Sequence, residues 1–297
     1  MINSAAVASE HDARLMRNAT YASVAVACVL ILIKLAAYMM TDSVALLATL
    51  IDSLLDVVAS FINLLAVRHA LTPADREHRF GHGKAEPLAG LGQSAFISGS
   101  ALFLFAEAAG RLVNPHAVEK GGIGIVVMLI SIVLTIVLVQ YQRFVVRRTG
   151  SMAIGADSLH YVSDVLVNFS VILALVLSAF LGWTLADPLF GLGVGGYVLY
   201  SAWQIARQAL DHLMDREFPD ADRARIQQIV RAHPEVRDLH DLRTRSSGHT
   251  GFVQLHLEMD GNMSLYRAHR ISDEVALEIR KAFPNADVII HEDPAGL

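Results

Sequence analysis

Apolar residues along the chain fall into six long blocks, near Ala19–Met40, Val44–Val67, Leu88–Val113, Ile123–Tyr141, Met152–Leu181 and Pro188–Leu210. Each is long enough to cross a hydrocarbon core of about 30 Å as a helix, which takes about 20 residues. After Leu210 the pattern changes. "DADRARIQQIVRAH" reads as a helix, "VRDLHDLRTR" and "GFVQLHLEMD" alternate like strands around the turn "SSGHT", "SLYRAHRISDEVALEIRKAF" is an amphipathic helix, and "ADVIIHED" is a last strand. The pattern predicts an α-helical membrane protein with six transmembrane helices at residues 1–210. A C-terminal cytosolic α+β domain, in the order αββαβ, is expected at 211–297.

Composition agrees with the pattern. The chain has 297 residues, of which 54% are hydrophobic and only 18% charged, and its mean hydropathy is +0.44. A formal net charge of -5 argues against a nucleic-acid partner. One cysteine, Cys28, lies in an apolar block and excludes a disulfide framework or a thiolate metal site. The N-terminal "MINSAAVASEHDARLMRN" is polar and mixed in charge, so no cleavable signal is expected.

The connections set the orientation. "TDS" and "GWTLAD" carry no Lys or Arg. Arg68, Arg76, Arg79 and Lys84 follow the second block, and Arg143, Arg147 and Arg148 follow the fourth. The positive-inside rule places these basic loops and both termini in the cytosol.

Within the second block, "TLIDSLLDVVAS" sets Asp52 and Asp56 four residues apart, on one helical face and about 6 Å from each other. A carboxylate at the centre of a span costs at least about 2.5–3.5 kcal/mol. Two of them call for a proton or a cation. The fifth block repeats the spacing with His160 and Asp164 in "ADSLHYVSD", with Asp157 one turn nearer the cytosol. Three carboxylates and an imidazole are four ligands for a tetrahedral divalent cation. Oxygen and nitrogen donors without thiolate suit Zn2+ and also Cd2+, Fe2+, Co2+ or Mn2+. Lys34, the only basic residue deep in an apolar block, lies toward the outer end, where it can snorkel to the interface. Gly191 and Gly195 have the G-x-x-x-G spacing of close helix packing.

These pairs, the six blocks and the stretches "DSLLD", "FGHGKAE", "LHYVSD", "HDLRTR" and "VIIHEDP" resemble the cation diffusion facilitator family, in particular its bacterial zinc and ferrous-iron efflux branch. The resemblance runs from about residue 15 to 293. It implies a transport site at Asp52, Asp56, His160 and Asp164, and a loop site at Asp75, His78 and His82. It also implies a cytosolic binuclear zinc site: His240 and His256 on one ion, His269 and His291 on the other, Asp293 bridging. Glu292 stands where relatives tend to have Gln. Lys84 with Asp215 matches the family's charge interlock, while Asp157 matches no family ligand and reads as a mouth or capping residue. His11, His69, His116, His212, His233 and His249 read as surface residues.

The function implied is efflux of divalent metal from the cytosol by proton antiport, Zn2+ foremost with Cd2+ and Fe2+ beside it, by a homodimer in the bacterial inner membrane. Zn2+ is then both substrate and structural or regulatory ion. Two other classes compete. A membrane metal sensor would bind without transport. An intramembrane metalloenzyme would need an open coordination position and a general base, and all four intramembrane candidates are already used as ligands, so no enzyme activity is expected.

Overall fold

The structure is a computed structural model. It describes residues 4–41, 44–113, 122–181, 183, 185–248 and 250–296. His116 and His249 lie outside the described residues.

Six long helices come first: α1 (Ser4–Thr41), α2 (Val44–Ala70), α3 (Ala85–Val113), α4 (Gly122–Thr149), α5 (Met152–Leu181) and α6 (Ala186–Leu213). Among the described residues, α1 to α4 each hold a segment long and apolar enough to cross a membrane. α1 begins well before the apolar block, at Ser4. Its Ala, Leu, Met, Glu and Arg residues favour helix, and Arg14 pairs with Glu10 one turn away. α4 likewise runs past Tyr141 to Thr149, and Arg147 and Arg148 in its last turn complement the carbonyl end of the helix. Glycine lets α6 approach α3 closely. A Cβ at Gly191 would meet the Ala108 Cβ at 3.1 Å, and one at Gly195 would meet Phe105 at 3.0 Å.

The C-terminal elements are α7 (Asp220–Arg231), β1 (Asp238–Ser247), β2 (Thr250–Met259), α8 (Leu265–Ala282) and β3 (Ala286–Pro294). The sheet order is β1-β2-β3, with β1 antiparallel and β3 parallel to the central β2. Alternation along β2 turns Val253, Leu255, Leu257 and Met259 into the core with Ile226 and Val230 of α7 and Ile271, Val275 and Ile279 of α8. Gln254, His256 and Glu258 therefore point to the opposite face of the sheet.

The chain separates into two compact units. One comprises Glu10–Leu71 and Ala85–Leu210; the other joins Met1–Ser9 and Thr72–Lys84 to Asp211–Leu297. Thr72–Lys84 thus groups with the C-terminal elements although it lies between two helices of the first unit. Phe80 packs edge-on to Phe252, ring centroids 5.6 Å apart, and the Arg245 guanidinium covers both rings at 4.9 and 4.4 Å. A side chain at Gly83 would collide with the Ser247 carbonyl. Lys84 pairs with Asp215 at 2.9 Å and also donates to the Leu213 carbonyl at 3.4 Å. Burial opposes ionisation of Asp215, but the hydrogen bond and charge of Lys84, with Arg245 behind them, hold its carboxyl below the usual range.

Candidate metal centres

Among the described residues, three groups of histidine and carboxylate side chains bring ligand atoms within 4.8 Å of one another: Asp56 with His160 and Asp164, Asp75 with His78 and His82, and His240 with His256 and Asp293.

The first spans two helices. His160 Nε2 lies 2.9 Å from Asp56 Oδ1 and 3.9 Å from Asp164 Oδ2. Asp56 is 6% exposed and His160 5%, in the middle of apolar helices. The Phe96 ring stands edge-on to His160 with centroids 5.8 Å apart. α5, which carries two of these residues, is anchored at its start by Glu86 of α3. Glu86 accepts from the Ser151 hydroxyl and from the Ala153 backbone N–H, as suits an acid at a helix N-terminus. Asp52 differs from the expected arrangement. It is exposed and stands outside the close group, one turn before Asp56 on α2.

Two further intramembrane residues depart from the sequence reading. Asp157, expected as a mouth or capping residue, is 1% exposed. α1 and α4 close over it: Ser23 Oγ and Gln142 Nε2 each donate to its Oδ2 at 2.7 Å, while Oδ1 and the Gln142 Oε1 have no partner. Tyr161 extends this layer, with its hydroxyl 2.8 Å from Ser60 Oγ and 3.3 Å from the Ser23 carbonyl. Lys34 does not reach away from the helices. It folds onto α2, donating to Ser53 Oγ at 2.5 Å and to the Thr49 carbonyl at 3.2 Å.

The second group lies on the Thr72–Lys84 loop. Asp75 Oδ1 accepts from the backbone N–H groups of His78 at 2.6 Å and Glu77 at 2.9 Å. These bonds, the His78 one foremost, hold its carboxyl below the usual range. His82 Nδ1 faces the Thr72 carbonyl at 3.3 Å, which fixes a proton on that nitrogen and leaves Nε2 toward Asp75 Oδ2 at 3.4 Å.

The third group is set by sheet register. His240, His256 and His291 are direct neighbours across the three strands, with ring centroids 5.0 and 4.7 Å apart. Asp293 divides its oxygens among them: Oδ2 is 2.7 Å from His256 Nδ1 and 3.3 Å from His240 Nε2, and Oδ1 is 3.3 Å from His291 Nε2. The His256 hydrogen bond, then the surrounding imidazoles, keep this carboxyl low. His269 is not drawn into the row. It is exposed on α8, 3.6 Å from Asp273 and 3.8 Å from Glu292. Glu292 faces α8, since its side chain alternates with those of His291 and Asp293.

Sequence reasoning missed two residues here. Glu258 Oε1 lies 3.0 Å from His240 Nδ1. Asp241, at the bulge between His240 and Arg243, has φ +48 and lies 3.9 Å from His256 Nε2. The H-x-E spacing of His256 and Glu258 on one strand was the available signal for the first. A bulge leaves none for the second.

The family profile for the cation efflux transmembrane domain matches residues 20–214, and that for the cytoplasmic domain of cation efflux proteins matches residues 218–295. This chain belongs to the cation diffusion facilitator, or cation efflux, family. Among relatives in that family, the cation-efflux pump FieF of Klebsiella pneumoniae is 52% identical over 284 residues, 96% of this chain and 94% of the relative. The FieF pump of Salmonella agona is 51% identical with the same coverage. Among solved structures, the zinc form of CzrB is 31% identical over 28% of this chain and 94% of that one, with a TM-score of 0.27. The metal-bound C-terminal domain of the CzcD transporter of Thermotoga maritima is 29% identical over 26% and 91%, with a TM-score of 0.25. The chain is therefore a membrane-spanning cation efflux transporter with a C-terminal cytoplasmic α/β domain, and its N-terminal helices are the transmembrane domain.

Proposed function

We propose that this transporter exports Zn2+, and also Cd2+ and Fe2+, from the bacterial cytosol across the inner membrane in exchange for protons. It would work as a homodimer with both termini in the cytosol. The observation that carries the proposal is the 2.9 Å contact between His160 Nε2 and Asp56 Oδ1 within an apolar unit. A hydrogen bond at that distance places a proton between the nitrogen and the carboxylate oxygen. A metal ion needs the same nitrogen's lone pair, so metal and proton exclude each other at one atom. Loading from the cytosol onto Asp56, His160 and Asp164 releases the proton. Asp52 completes the tetrahedron when α2 shifts by part of a turn against α5. Protons arriving from the outer side then displace the ion.

The loop residues Asp75, His78 and His82 form a secondary metal site in this reading. In the cytoplasmic domain, His240, His256 and Asp293 hold one regulatory ion. His291 and the second oxygen of Asp293 begin a site for another, which His269 completes by swinging over from α8. The donor set fits Zn2+, because imidazole nitrogens and carboxylate oxygens are among its usual ligands.

Zinc-driven proton flux in proteoliposomes tests the export reading. Asp56→Ala is expected to abolish it. Wild-type flux from correctly folded Asp56→Ala protein overturns the assignment.

A further inference from the structure

Lys34 is a structural feature of the membrane unit that the transport reading leaves unused. An ammonium group within a span is costly, and a lysine near the outer end of a helix ordinarily extends toward water. This one is half-buried and turns onto α2. Its Nζ binds the hydroxyl of Ser53, which is 1% exposed, and the carbonyl of Thr49, so it is held beside Asp52 on both sides in sequence.

The charges of the site show what such a cation does. Asp52, Asp56 and Asp164 are three carboxylates, and His160 binds metal as a neutral imidazole. A divalent ion among them leaves one negative charge uncompensated in a low-dielectric region. Lys34 supplies one positive charge. We propose that Lys34 is the built-in counter-ion of the intramembrane site, tethered through Ser53 and Thr49 so that a divalent cation, and not a trivalent one, brings the site to neutrality. The inference rests on the metal-export reading of Asp52, Asp56, His160 and Asp164. Lys34 acts on the ion through the carboxylates and is a positioning and selectivity residue rather than a ligand.

The test uses the purified full-length transporter. Cadmium binding is measured at pH 8, where competing protons are scarce, and the component lost in Asp56→Asn defines the membrane site. Lys34→Met removes the charge and keeps the side chain's length; Lys34→Arg keeps the charge. Lys34→Met is expected to bind cadmium at that site roughly tenfold more tightly, since a neighbouring positive charge is gone, and to release it more slowly in proteoliposome flux. It is also expected to let lanthanum compete with cadmium. Lys34→Arg and wild type should resist lanthanum alike. Should Lys34→Met fail to fold, Lys34→Gln preserves a donor to Ser53 without the charge and is expected to behave the same way. Wild-type affinity and lanthanum resistance in the neutral variant overturn the proposal, and so does an Arg variant that behaves like the Met variant. If Asp56→Asn removes no binding component, the metal-export reading itself fails, which is a separate result.

Discussion

Two of the histidine–carboxylate groups in the transporter have opposite mechanical settings. Asp56, His160 and Asp164 come from α2 and α5, two helices joined at this level only by side chains. His240, His256, His291 and Asp293 come from three strands locked in hydrogen-bonded register. Relative movement of two helices opens the first centre without breaking any backbone hydrogen bond. The second cannot open without breaking the sheet. Histidine and carboxylate ligands can thus serve passage in one place and retention in the other, and the backbone decides which.

The sharpest way to break this contrast is to remove one imidazole from each centre. His160→Ala is expected to eliminate metal transport, with a loss of at least about 100-fold, because His160 is the one imidazole of that group among the described residues. His256→Ala is expected to leave measurable transport while abolishing tight zinc binding by the cytoplasmic domain. Equal transport defects in the two variants, read as proteoliposome flux, would erase the distinction.

A smaller effect is expected at Glu258. Its contact with His240 Nδ1 fixes a proton there and leaves Nε2 toward Asp293. Outer carboxylates of this kind are worth about 10–100-fold in metal affinity. Glu258→Leu should therefore weaken zinc binding to the cytoplasmic site by a factor in that range, with Glu258→Gln falling between it and wild type in competition titrations. No change in either variant would mean that strand register alone orients His240.

The smallest effect belongs to the Lys84–Asp215 pair, both partners of which are well exposed. Such pairs contribute about 0–1 kcal/mol. The Asp215 carboxyl is depressed in the folded protein, so its contribution is present above the unfolded value, about 3.9, and is lost as pH falls through the lower folded value. Thermal melts of Lys84→Ala should lie a few degrees at most below wild type at pH 7 and converge with it in acid. A constant gap across that range would assign the loss to packing of the lysine stem instead.

Periodicity made most of the architecture legible. The six apolar blocks became α1 to α6, and the alternating and amphipathic segments became α7 to β3 in the expected order. The i,i+4 acid and histidine pairs were legible for the same reason, since local spacing sets which side chains share a helical face. What stayed hidden depends on contacts between distant segments. Asp157 reads as a mouth or capping residue, and its spacing gives no sign that Ser23 and Gln142, from two other helices, close over it. Lys34 reads as a snorkelling lysine until Ser53 is found beside it. Nothing in the composition of "ADREHRFGHGKAE" says that this loop groups with a domain that begins more than a hundred residues later.

That grouping has a bearing on protein engineering. A cytoplasmic domain grafted from one pump onto another at residue 211 would arrive without part of itself. The grafted hairpin would meet a foreign partner at Gly83, where any side chain strikes Ser247. Phe80 would lose the ring of Phe252, and Lys84 the carboxylate of Asp215. The heritable module is discontinuous, and residues 72–84 travel with 211–297. Chimeras that exchange both pieces together are the ones expected to fold and traffic.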